Sequence, residues 1–179
     1  MAVNEVRKGQ SALDWYEAMV FALVILVAAF SFFIRLIMVS GSSMVPTLYE
    51  NDRLIVWAAG YTPARGDVVV VDDYIDYGKP LVKRVIAKGG DEVDIDFVTG
   101  TVSVNGTVLE EPYVAQPTYE SFDVEFPMTV PEGSVFVLGD NRNASSDSRT
   151  SKIGCIDERD VMGKVVFRFS PFNRMGGIR

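Results

Sequence analysis

The chain has 179 residues, 48% of them hydrophobic and 23% charged, with a formal net charge of −7. That length allows a short anchor and one folded domain, and the composition excludes a disordered chain. An acidic chain without a basic tract is unsuited to neutralising phosphates, so no nucleic-acid partner is expected.

Residues 1–17 are polar and of mixed charge. From Ala18 to Ile34 the chain reads AMVFALVILVAAFSFFI, without a charge, Gly or Pro. At about 1.5 Å per residue this covers roughly 26 Å, slightly less than a bilayer core of about 30 Å. Apolar residues resume after Arg35 with Leu36-Ile37-Met38-Val39. An arginine near a helix end can snorkel to the interface, so a membrane helix over residues 18–39 is predicted. The run is too long for the apolar region of a cleavable signal peptide and has no polar face like that of a surface core helix. Arg7 and Lys8 precede it and Arg35 and Arg53 follow it, so flanking charge does not set orientation.

Past Gly41 the pattern changes to short apolar stretches separated by turns. Arg53–Trp57, Asp67–Val71 and Leu81–Ile86 are candidate strands, and Val93, Ile95 and Phe97 alternate with acidic residues. Thr101–Val104 and Thr107–Leu109 flank Asn105-Gly106, a strong hairpin signal. Ser134–Leu138 and Lys164–Phe169 complete the series, while Asp72–Asp76 reads as a solvated loop. Nothing after the anchor has the pattern of a long amphipathic helix. The expected fold is mainly β: one transmembrane helix, then a sandwich- or barrel-like domain over residues 40–179.

The chain contains no histidine and a single cysteine, Cys155, which reads as a small core residue. A Ser-His-Asp triad, a HExxH zinc site, a Cys-His dyad and an internal disulfide are all excluded. A hydrolase built on this chain takes its base from a carboxylate, a lysine, a tyrosine or a water held by an oxygen-ligated metal. Ser40-Gly41-Ser42-Ser43-Met44-Val45-Pro46-Thr47-Leu48, read alone, is a Ser-rich turn leaving a helix. A serine becomes a nucleophile only with a base in hydrogen-bond reach.

Lys83 is the candidate base. On a strand it shares a face with Leu81 and Val85. Burial there would favour its neutral form, and work near neutral pH needs a fall from about 10.4 to about 7–8. An exposed edge-strand lysine is the alternative. The segment from Gly139 to Arg149, GDNRNASSDSR, suits a hydrogen-bonded turn in which Asp140, Arg142, Asp147 and Arg149 can pair. It fails the EF-hand pattern, since Arg142 and Ala144 fall on ligand positions.

Together these segments resemble the bacterial type I signal peptidase family. Ser43-Met44-Val45-Pro46-Thr47-Leu48 is similar to its serine box, and Arg65-Gly66-Asp67-Val68-Val69 to its Arg-Gly-Asp box. Lys83-Arg84-Val85, continued by Gly89-Gly90-Asp91, is similar to its lysine box, and residues 139–149 to its last box. All four follow the anchor in the family's order. The resemblance implies a β catalytic domain on the outer face of the bacterial cytoplasmic membrane, with residues 1–17 as a short cytoplasmic tail. It implies a serine endopeptidase acting on signal peptides of exported pre-proteins, in contact with the lipid bilayer and without metal or organic cofactor.

By the same resemblance Ser43 is the nucleophile, Lys83 the general base and Ser145 the residue that orients the lysine. Gly41 lies in the oxyanion region, where some relatives carry serine, so backbone, Ser42 or water supplies the second donor. Asp140, Arg142, Asp147 and Arg149 maintain the site's shape. Ile37, Val39, Met44, Leu48, Leu81 and Val82 surround the substrate groove. Thr150–Gly154 departs from the family in placing its glycine late. Two other readings are a non-catalytic membrane-tethered β domain that binds exported proteins and a self-cleaving Ser-Lys repressor-type protein. The latter needs a DNA-binding segment in place of the anchor.

Overall fold

The computed structural model describes residues 2–72 and 80–178. Its first element, α1 (Ala2–Phe33), begins inside the polar segment, so the helix starts earlier than its apolar stretch. The part apolar enough to cross a membrane is Ala12–Phe33, 22 residues with no part of the window buried against protein. About 20 such residues span a bilayer core.

The expected helical continuation to Val39 does not form. Ile34–Met38 is a strand, β1, antiparallel to β2 (Arg53–Trp57), with Ile34 opposite Trp57 and Met38 opposite Arg53. Val39 is buried and Ile37 packs on the same cluster, whereas Leu36 and Met38 stand exposed. Over residues 36–39 this is a two-residue alternation written in apolar residues alone. Hydropathy cannot distinguish it from the helix before it; the backbone partners offered by β2 can.

Ten further strands follow among the described residues: β3 (Val68–Val71), β4 (Leu81–Lys88), β5 (Glu92–Asp96), β6 (Thr101–Val104), β7 (Thr107–Val108), β8 (Met128–Thr129), β9 (Ser134–Leu138), β10 (Ile156–Asp157), β11 (Val161–Ser170) and β12 (Gly176–Gly177). They form an antiparallel eight-stranded sheet in the order β1-β2-β11-β3-β4-β9-β10, with β12 also on β11, and a four-stranded sheet β7-β6-β5-β8. Asn105 (φ +53°) and Gly106 (φ +74°) make the tight β6–β7 turn in the left-handed conformation that this pair tolerates. Of the Asp72–Asp76 loop, all but Asp72 lies outside the described residues.

The two sheets pack face to face. Val93, Ile95, Val102 and Val104 meet Ile86, Phe136 and Leu138. The other side of β4 and β9 packs Leu81, Val85, Val135 and Val137 against Val69 and Val71. Central strands covered on both sides explain why β3 reads as an unbroken valine run. Cys155 is half-buried against the first cluster, and burial pushes its thiol pKa up, so it behaves as a packing residue.

Candidate active site

Ser43 lies in the turn between β1 and β2. Val39 and Asn51 close that loop at its base, through Asn51 N–H to Val39 O at 2.9 Å and Val39 N–H to Asp52 O at 2.9 Å. Met44 and Leu48 sink into the core beside Leu54 and Val56, so the residue next to Ser43 is pinned. Buried Asp52 accepts from Tyr49 N–H (3.0 Å), Arg168 (3.2 Å) and Arg174 (2.7 Å). The loop is thereby tied to the C-terminal end of the chain.

Lys83 sits in β4, opposite Val69 of β3, and is 2% exposed. Its Nζ donates to Ser43 Oγ at 2.7 Å. Strand pairing brings the amine to the hydroxyl across 40 residues of sequence. The loop after β9 closes against the turn that carries Ser43. Asn141 donates from its backbone N–H to Ser43 O (2.9 Å) and from Nδ2 to Ser42 O (3.1 Å). A Cβ on Gly139 would lie 2.5 Å from Ser43 O and 2.2 Å from Ser145 Oγ, so only glycine allows this approach.

Buried charge surrounds the site. Arg84, next to Lys83, makes two contacts to Asp140, at 2.8 and 2.6 Å, and its guanidinium lies 3.9 Å from the Tyr113 ring centre. Thr47 Oγ1 donates to the same carboxylate at 2.5 Å. Arg149 grips Asp147 at 2.8 and 2.9 Å, and Asp147 accepts Gly139 N–H at 3.0 Å. Arg142 holds Glu111 at 2.8 and 2.6 Å and Thr118 at 2.9 Å. Paired and bidentate, these ions meet the requirement that buried charge be compensated.

A model of the family described as signal peptidase, peptidase S26, matches residues 12–170. The chain belongs to that family. It is 36% identical to a signal peptidase I of Bacillus licheniformis over 96% of each chain, and 34% identical to signal peptidase I S of Bacillus subtilis over 98% of each. A crystal structure of a signal peptidase I from Enterococcus faecalis is similar at a TM-score of 0.51 and 31% identity, over 59% of this chain and 98% of that one.

Most of the residues singled out from sequence converge. Ile37, Val39, Met44, Leu81 and Val82 line one cavity of about 330 Å³ with Ser43 and Lys83. Leu48 does not: it is fully buried in the core with Met44, Leu54 and Val56, where it anchors the end of the turn. Gly41 (φ +92°) borders a second recess beside Ser42. A serine side chain would strain that backbone conformation. Ser145 Oγ is buried and has no hydrogen-bond partner, so the expected bond to Lys83 is not formed in this arrangement.

Pairing within the last box holds only for Asp147 and Arg149. Asp140 pairs with Arg84 and Arg142 with Glu111. The late glycine of Thr150–Gly154 closes a turn, with Gly154 N–H donating to Thr150 O at 2.8 Å. Sequence reasoning gave no role to Arg84, Thr47, Asn141 or Glu111. The first three lie inside the quoted boxes; Glu111 carried no signal at all.

Proposed function

We propose that the chain is a membrane-anchored serine endopeptidase that removes N-terminal signal peptides from exported pre-proteins, with Ser43 as nucleophile and Lys83 as general base. The observation that carries this reading is the 2.7 Å contact between Lys83 Nζ and Ser43 Oγ in a chain without histidine. The amine is 2% exposed, shielded from bulk water and held against the hydroxyl it would deprotonate. Ser43 Oγ attacks the scissile carbonyl as Lys83 takes its proton, and Lys83 passes that proton to the departing amine as the C–N bond breaks. Water then attacks the acyl-enzyme, giving a proton to Lys83, which returns it to Ser43. The Ser43 backbone N–H serves the oxyanion, with Ser42 or backbone near Gly41 as second donor. Ser145 acts as the group that orients the amine through its buried hydroxyl, a role that requires the hydroxyl to turn toward Nζ.

Position supports the same substrate. The site begins a few residues past the helix, and Leu36, Met38 and Trp57 beside the helix end are exposed. A domain held there on the outer face meets signal peptides as they leave the bilayer. Mass analysis of a pre-protein carrying Ala-x-Ala before the cut, incubated with the full chain in lipid vesicles, tests the assignment. A single cut after the second Ala is expected. An intact pre-protein, or the same product with Ser43→Ala, would overturn it.

A further inference from the structure

Two recesses meet at the Ser43–Lys83 pair. They share Ser40, Ser43, Leu81 and Lys83 and diverge from there. One continues along Ile37, Val39 and Met44 and is apolar in its side chains. The other, about 190 Å³, runs past Gly41, Ser42, Ala144 and Ser146.

We propose that this second recess is the subsite for the first residue of the mature protein, the one whose amine is released; the proposal rests on the peptidase reading above. Direction is the first argument. Residues before the cut reach the site from the membrane, and the apolar groove is walled by β1, the strand that continues directly from the membrane helix. Substrate that passes the nucleophile therefore leaves by the other recess. Chemistry is the second. Ser40, Ser42 and Ser146 place three hydroxyls around the space, and each can donate or accept a hydrogen bond. Ala144 and Ser146, both exposed, leave the mouth narrow in chemistry but open to water. Such a recess takes Ser, Thr, Asp or Gln. A Leu or Phe would cover the hydroxyls without supplying partners for them.

The subsite also separates two kinds of specificity. Residues before the cut are selected by β1, Met44 and the start of β4, and the residue after it by Ser42 and the 144–146 segment. Changes on one side should leave the other side's ranking intact.

The test is kcat/KM for the full chain in detergent micelles on peptides with Ala-x-Ala fixed and the following residue set to Gly, Ser, Asp, Gln, Leu or Phe. Wild type should cleave the Ser, Asp and Gln peptides at least fivefold faster than Leu or Phe. Ala144→Leu narrows the recess and should lower the Gln-to-Gly ratio tenfold or more. The ranking of peptides varied three residues before the cut should be unchanged in the same variant. A flat wild-type series would overturn the subsite, as would one common loss on every peptide or a changed ranking before the cut. Failure of wild type to cleave any peptide is a separate result, which would overturn the peptidase reading and the subsite with it.

Discussion

Arg84 and Asp140 form a buried, two-point pair, Nε to Oδ1 at 2.8 Å and Nη2 to Oδ2 at 2.6 Å. It fastens the strand that carries Lys83 to the loop that carries Asn141 and Ser145. Removing one member leaves the other charged, buried and uncompensated, which typically costs about 3–5 kcal/mol. Asp140→Ala and Arg84→Ala should therefore each unfold at distinctly lower urea concentration than wild type. Arg84→Lys should not restore stability, because an ammonium cannot make the fork. An unchanged urea midpoint for Asp140→Ala would remove this pair from the account.

Asn141 holds the Ser43 turn from the other side, at Ser43 O and Ser42 O. Ser42 O also accepts Val45 N–H at 3.1 Å, so the amide closes an already bent segment. Asn141→Asp replaces a donor with an oxygen facing Ser42 O. Misplacement of a reacting group by about 1 Å can cost about 100-fold. The expected outcome is a fall in kcat of about 10- to 100-fold with KM little changed and the unfolding free energy within about 1 kcal/mol of wild type. A rise in KM with unchanged kcat would make Asn141 a binding residue instead.

The helix ends at Phe33 and β1 belongs to the sheet that carries Lys83, so two truncations separate the helix from the domain. Removing residues 1–33 should leave a folded domain that still cleaves short peptides. Removing residues 1–39 deletes β1, with Ile37 and Val39 of the groove, and should abolish cleavage. Equal peptide turnover by the two truncations would show that β1 is no part of the site.

Asp91 ends the turn after β4. Burial raises its carboxyl pKa, but the Lys88 N–H, Arg65 and Asn105 outweigh this and hold it below the ordinary 3.8. A carboxyl depressed on folding contributes stability that is present above its unfolded value and lost as pH falls toward the folded one. Wild type should lose stability below about pH 4, and Asp91→Asn should be less stable at neutral pH with a shallower acid limb. Parallel acid limbs would contradict this.

What could be read from the sequence was local. Asn105-Gly106 gave its hairpin because both residues tolerate the turn's conformation, and the valine run of β3 gave a buried strand. Ser43 and Lys83 stood out through their resemblance to the family's serine and lysine boxes, in a chain without histidine. The strand over residues 34–38 could not be seen, since Leu36-Ile37-Met38-Val39 is apolar on both faces and Arg35 reads equally well as a snorkelling helix end. Nor could Arg84 with Asp140, 56 residues apart, or Arg142 with Glu111, 31 apart, because either arginine had nearer acids to choose from. Those partners are selected by sheet register and by which carboxylate is buried with them.

The pairing of Ser43 with Lys83 is tested most directly by the turnover of Lys83→Ala on an Ala-x-Ala pre-protein in vesicles, with the fold verified by circular dichroism. Without the amine at 2.7 Å, no other group identified around Ser43 is assigned to take its proton. The account predicts that Lys83→Ala is folded and cleaves no faster than the Ser43→Ala control. Folded Lys83→Ala that cleaves at a rate near wild type would contradict it.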